Sequence, residues 1–172
     1  MERLWSPWRH AYVTRGGEPA DCIFCAAPDS EDGRALLVHD GITCYVILNL
    51  FPYNGGHLMV VPRRHVATLN GLHDDELVDV ARTTRLAEAA LAEAYQPQGM
   101  NVGINLGRPA GAGVADHLHV HLVPRWNGDT NFMPVVGNVR VLPEDLFQTA
   151  DRLRPVFARL TAAPPRPENL TP

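Results

Sequence analysis

HLHVHLVPR, residues 117–125, is the stretch whose reading decides the fold. Histidine stands at positions 117, 119 and 121, with Leu118, Val120 and Leu122 between them. In an extended chain successive side chains point to opposite faces, so every second residue lies about 6–7 Å along one face. The alternation therefore predicts a half-buried strand, three imidazoles on one side and three aliphatic side chains in the core on the other. A strand that merely carries histidine on its wet face explains one such residue better than three in register.

Working back along the chain, NVGINLG from Asn101 and the glycine-rich bend RPAGAGVAD from Arg108 read as a strand and the loop joining it to the histidines. ALLVHD, ITCYVIL and HLMVVP, between Arg34 and Arg64, are short, rich in β-branched or aromatic residues and separated by turns such as FPYNGG, which predicts an antiparallel meander. Between His73 and Tyr95 the period changes, and Leu77, Val80, Ala81, Thr84, Ala87, Leu91 and Ala94 share one helical stripe, read as core. Asp74, Asp75 and Glu76 suit the positive end of that helix dipole, and Pro97 with Gly99 stops it. From Pro143 to Leu160 a shorter helix is predicted, with proline at its first position and Pro155 expected to kink or split it. The expected class is α+β: about five mostly antiparallel strands, one long helix and a shorter carboxy-terminal one. Residues 1–20, with Trp5, Trp8 and Tyr12, read as an amino-terminal arm; 21–142 as the main domain; 143–161 as the carboxy-terminal helix; and 162–172, rich in proline, as a flexible tail.

One domain is the default for 172 residues, which bury about 70% of the unfolded chain's surface without staples. A net charge of −4 with no long basic run disfavours duplex nucleic acid as a partner. No stretch approaches the roughly 20 apolar residues of a membrane span, and MERLWSPWRHAY lacks the apolar core of a signal peptide. Three cysteines suit a reducing compartment, so a cytoplasmic protein is expected.

Three aligned imidazoles serve either of two chemistries. They collect a metal with an open position, or one ring attacks while its neighbours orient it, bind anionic oxygens and protonate a leaving group. Spacing alone does not choose between them.

HLHVHLV resembles the signature of the histidine-triad (HIT) family, His-φ-His-φ-His-φ-φ with φ apolar. NGGHLMVVPRRH, from Asn54 to His65, resembles the family's Pro/Gly-His-x-Leu-Val-x-Pro-x-x-His strand, and NVGINLG the strand before the triad. The resemblance covers roughly residues 21–126. RLWSPWR near the start and PRWNGDTNFMP after the triad are similar to the Fhit-like branch, which includes bacterial diadenosine tetraphosphate phosphorylases. It implies a nucleotidyl hydrolase or transferase with His119 as the nucleophile that attacks an α-phosphate and forms a nucleotidyl-histidine intermediate. His121 would contact phosphate oxygens and help the leaving group depart, Asn105 would hold the α-phosphate, and Asn49 lies where the ribose-binding residue is found. Gly111, Ala112 and Gly113 would bring backbone N–H groups to phosphate oxygens. A homodimer with joined sheets is implied as well. The chain departs from many relatives at Gly113 and Val114, where those carry Ser, Thr or Gln. Backbone, Arg108 or water must then replace that side-chain donor.

Cys22 and Cys25 form a C-x-x-C pair, the spacing of a metal knuckle or a redox dithiol, and no βαβ pattern surrounds them to favour redox. Resemblance to zinc-containing HIT and galactose-phosphate uridylyltransferase-type proteins implies His65 and His117 as the remaining ligands of a closed, structural Zn2+ site. A filled site has no open position for water, and nucleophilic work then falls to His119. Two rival readings are a metal-dependent hydrolase with all three histidines as ligands, and a nucleotide-binding regulator without turnover. The acceptor, water or phosphate, is not written in the motif. Elsewhere, His57 either orients the site or makes a structural hydrogen bond. Trp126 either stacks on a base or packs, and Arg108 and Arg125 either neutralise outer phosphates or are solvated. Cys44 is read as a small buried hydrophobe, and His10, His39 and His73 as surface residues.

Overall fold

In the computed structural model, residues 22–129, 136–137 and 144–162 are described. The expected arm at 1–20, His10, Pro143 and the tail beyond Ala162 lie outside them. Five strands, β1 (Leu37–Asp40), β2 (Cys44–Leu48), β3 (Leu58–Pro62), β4 (Gly99–Ile104) and β5 (Val120–Arg125), pair antiparallel in the order β1-β2-β3-β5-β4. Four α-helices accompany them among the described residues: α1 (Ile23–Ala26), α2 (Glu31–Leu36), α3 (Asp74–Tyr95) and α4 (Leu146–Ala162).

β2 and β3 are buried at every position, which explains why CYVIL and LMVVP are continuous apolar runs and not alternating ones. Alternate residues serve two cores. Cys44, Val46, Leu48, Leu58 and Val60 pack under α3 and α4 with Leu91, Leu153 and Phe157. Tyr45, Ile47, Met59 and Val61 face the other way, onto Cys22, Phe24 and Ala27 around α1. The register sets Met59 opposite His121 and Val60 opposite Val120, so His121 projects on the α1 side of the sheet while Val120 and Leu122 join the helical core.

The long helix is where its period places it, but its buried face is rotated. Val80, Thr83, Ala87, Ala90 and Leu91 are buried, while Leu77 is 43% exposed and Ala81 is exposed. Glu76 explains the phase. Its carboxylate accepts from the backbone N–H of His73 at 2.8 Å and from Arg64 Nε at 2.9 Å, which turns this acidic residue inward and pins the first turn. Arg64 and the His73 amide hold the Glu76 carboxyl down to about 2. Unfolded, the group titrates near 4.3, so the unfolded chain binds the extra proton, and this stabilisation is complete above about pH 5 and lost as pH falls toward 2. Arg64 is 41% exposed and solvent screens the pair, so Glu76→Gln is expected to cost about 1–2 kcal/mol at pH 7, the gap closing below about pH 3. Urea unfolding at the two pH values checks this.

Pro155 does not split α4, which runs unbroken through it. It stands on the exposed face, where water satisfies the carbonyl it cannot serve, while Leu153 and Phe157 anchor the buried face. Asp145 caps the helix, its Oδ1 accepting from the N–H groups of Phe147 and Gln148 at 2.9 Å. His39 is no plain surface residue: it stacks on Phe157, ring centroids 5.5 Å apart, and partial burial lowers its basicity. His73, exposed, precedes α3 as its N-cap, and Cys44 is fully buried as expected.

Candidate active site and metal cluster

Regular strand geometry begins at Val120, so His117 and His119 precede β5. The three histidines do not present one uniform row. The Leu118 N–H donates to Val66 O at 2.6 Å, which holds the approach against the segment leaving β3 and lets His117 turn to the C-x-x-C knuckle.

His117 is 1% exposed and both ring nitrogens are engaged. Its Nε2–H donates to Pro62 O at 2.8 Å, leaving Nδ1 as a lone-pair atom 3.3 Å from Cys22 Sγ and 3.5 Å from Cys25 Sγ. His65 Nδ1 lies 3.3 Å from Cys25 Sγ, and the four donor atoms all sit within 4.8 Å of one another. Two sulfurs and two imidazole nitrogens around a tetrahedral zinc ion would stand about 3.5 Å apart, so the set fits a closed four-ligand metal site. The Pro62 carbonyl supplies the outer hydrogen bond that fixes a ligating histidine's tautomer. Burial and the neighbouring Cys22 thiol push Cys25 up to about 11, so without a cation it is a neutral thiol at pH 7. With His117 committed to the thiols, a metal gripped by all three triad histidines is not the arrangement found.

His119, 4% exposed, has its Nδ1 2.8 Å from His117 O, a contact that requires the proton on Nδ1 and leaves Nε2 with the lone pair. Burial lowers its pKa, with the bond to His117 O acting the other way, so the ring is neutral at pH 7. His121 is set by a relay. The Tyr53 N–H donates to His57 Nδ1 at 3.0 Å, so His57 carries its proton on Nε2 and donates it to His121 Nδ1, also at 3.0 Å. The ring proton of neutral His121 is thereby placed on Nε2. His57 is fully buried and makes contacts that fit both of its sequence readings, the hydrogen bond at the turn to Tyr53 and the one to His121.

His119 and His121 border a pocket of about 500 Å3, within the usual range for small-molecule sites. Asn49, Gly111 and Gly113 line it too, whereas Asn105, Arg108 and Trp126 do not. Asn105 sits behind Gly111, its Nδ2 4.0 Å from where a Cβ on that glycine would lie. Trp126 follows the end of β5, about 20 Å along the strand from His119. Arg125 is held at that end by Asp129 and Asn101. The amides of Gly111 and Ala112 are already spent on Arg108 O and Gly107 O, where Gly107 and Gly111 adopt positive φ of 79° and 95°. Among the described residues nothing accepts from the amides of Gly113 and Val114, which leaves that pair as donors for an anion. The apolar wall comes from Ile23 and Phe24 of α1, Ile47 and Met59 of the sheet, and Leu146 and Phe147 of α4. No periodicity marked Phe24 or Phe147 as site residues, because both arrive from elements distant in the chain.

The HIT domain profile matches residues 33–128. The chain belongs to the HIT domain family. A relative of this HIT protein, the AP-4-A phosphorylase of Mycobacterium tuberculosis, is 40% identical over 168 residues, which cover 92% of this chain and 86% of that one. The crystal structure of a zinc-bound histidine triad family protein from Mycobacterium smegmatis superposes with a TM-score of 0.67 at 28% identity, covering 84% of this chain and 98% of the other. A uridylyltransferase structure shares the fold at 17% identity, TM-score 0.63, over 81% of this chain and 46% of its own. No helix among the described residues is long and apolar enough to cross a membrane.

Proposed function

We propose that His119 Nε2 attacks the α-phosphorus of a dinucleoside polyphosphate, expels the outer nucleotide, and passes the nucleotidyl group to inorganic phosphate. At the level of class, the chain is a nucleotidyl hydrolase or transferase of the histidine-triad family. The observation that carries the reading is the bond from His119 Nδ1–H to His117 O, which commits the ring proton away from the pocket and keeps Nε2 nucleophilic. In the first step the P–N bond forms as the bridging P–O bond breaks, the outer nucleotide departs as a polyphosphate anion, and the Nε2–H that the His57 relay places on His121 donates a hydrogen bond to the departing oxygen. In the second, a phosphate oxygen displaces His119 as the P–N bond breaks; water in its place would release its proton to solvent. The apolar wall takes the base, Asn49 the ribose, and the Gly113 and Val114 amides the phosphate oxygens, in place of the side-chain donor this chain lacks. Asn105, Arg108 and Trp126 are left to outer or indirect roles.

Cys22, Cys25, His65 and His117 are read as holding a structural zinc, which on binding would supply a fixed anchor beneath the triad, and not a reactive site. The protein is further read as cytoplasmic, where its free thiols persist, and as a homodimer joined through β4, one of the two edge strands of the sheet, with Val102 51% exposed on it. Cell fractionation and sedimentation at twice the monomer mass check these two points.

The test is incubation with diadenosine tetraphosphate, with and without phosphate, followed by product separation and mass analysis of trapped protein. Phosphate-dependent ADP with ATP, and an adenylate on the peptide containing His119, is expected. AMP with ATP in the absence of phosphate makes the protein a hydrolase. Tight nucleotide binding without turnover favours the regulator and overturns the reading.

A further inference from the structure

We propose that Phe24 is a positioning residue for His119, through which the metal knuckle governs the set of the attacking ring. The proposal rests on His119 being the nucleophile. Phe24 lies between the two cysteines, on the single helical turn α1, and is 4% exposed. On such a turn it points about 100° away from Cys25, so the thiols address the ligand cluster while the phenyl ring addresses the pocket. Its centroid is 4.9 Å from that of His119 at an interplanar angle of 45°, and 5.6 Å from His117 at 74°. The peptide behind it is pinned as well, because Tyr45, fully buried, donates its hydroxyl to Phe24 O at 2.6 Å.

Three contacts bound the His119 ring. The His117 carbonyl holds Nδ1 at 2.8 Å, the edge of His121 stands 4.8 Å away at 79°, and Phe24 closes a further side. The first two come from the triad segment itself and move with it. Phe24 ties the ring to a separate element, and that element carries Cys22 and Cys25. Attack on phosphorus demands aligned atoms about 3–3.5 Å apart, and a misplacement near 1 Å costs about 100-fold. A ring packed at a tilt against the nucleophile from the knuckle is thus placed to convert the order of the Cys22, Cys25, His65 and His117 cluster into the aim of Nε2.

The test uses the zinc-loaded protein with histidine side chains isotopically labelled, as wild type and as Phe24→Leu, which keeps an apolar side chain but removes the aromatic ring. NMR of the His119 Hδ2 and Hε1 protons is read together with zinc content, kcat and KM. In the wild type these protons are expected as single, ring-current-shifted signals. In Phe24→Leu the shift is lost with zinc retained, and kcat falls about 10- to 100-fold while KM stays within about 3-fold. Chelation of the wild type is expected to move the His119 signals in the same sense. Unchanged His119 signals in Phe24→Leu, or a raised KM with kcat intact, would reduce Phe24 to pocket wall and overturn the proposal. His119 signals indifferent to chelation would sever the link to the metal. If the wild type transfers no nucleotide at all, the nucleophile reading fails, while the NMR comparison still decides whether Phe24 sets the ring.

Discussion

His119→Ala is expected to lower turnover of diadenosine tetraphosphate by about 10⁴- to 10⁶-fold, the range for deleting a nucleophile from a unit that acts together, with the fold and the bound metal kept. The side chain holds no position in the Cys22, Cys25, His65 and His117 cluster, whose donor atoms converge without it. Its burial to 4% exposure means that truncation leaves a gap beside Phe24 and His121, costing about 1–3 kcal/mol, too little to unfold a domain of this size. Residual activity above background reflects positioning by the pocket and the amides of Gly113 and Val114. Steady-state ADP formation, elemental analysis and a thermal melt on one preparation check all three parts. Departure of the metal together with the His119 side chain would sink the closed-site assignment and revive a metal held by the triad.

Cys22→Ala should give the converse pattern, with metal lost, stability sharply reduced and activity falling as a consequence. An ion present at about 1,000 times its dissociation constant stabilises the folded state by about 4 kcal/mol, and its loss from a domain of this length lowers Tm by about 8–16 °C. The damage is local in origin. Cys22, Phe24 and Ala27 form one core with Tyr45, Ile47, Met59 and Val61 on the sheet face opposite the long helices, and the cluster is what fastens α1 over that face. Released, the knuckle takes with it Ile23 and Phe24 of the pocket wall. Calorimetry with elemental analysis tests this. A variant that keeps one ion per chain would show the ion held without Cys22, and one that melts with the wild type would argue that the four residues are a hydrogen-bonded cluster and nothing more.

Much of this architecture can be read along the chain, and the exceptions have a common cause. The strands around Cys44–Leu48 and Leu58–Pro62 announce themselves because burial on both faces demands unbroken apolar runs. The helix Asp74–Tyr95 declares its period, but its phase depends on Glu76 turning inward to Arg64, twelve residues earlier, and no local pattern encodes that partner. Pro155, expected to kink or split its helix, does not split it, since it faces water between anchors at Leu153 and Phe157. In the site, His119 and His121 are marked by their alternation, Cys22 and Cys25 by their C-x-x-C spacing, and His65 and His117 as candidate ligands by family resemblance alone. Of the loop amides expected to meet phosphate, those of Gly111 and Ala112 close their own turn, while that of Gly113, with Val114 beside it, is not spent in this way.

By itself the amino-acid sequence determined the chemistry on offer: three imidazoles at alternate positions, a pair of cysteines two residues apart, and an α+β order of elements, all of which are local patterns written in period and spacing. Only the tertiary structure decided how those groups divide the work. Folding brings Cys22 and Cys25 across 92 residues and more to His117, which takes one triad ring away from the substrate, and it lays His57 against His121 across 64. Ring tautomers follow from which carbonyl or amide meets each nitrogen, and such meetings belong to packing between distant segments, where sequence spacing carries no information.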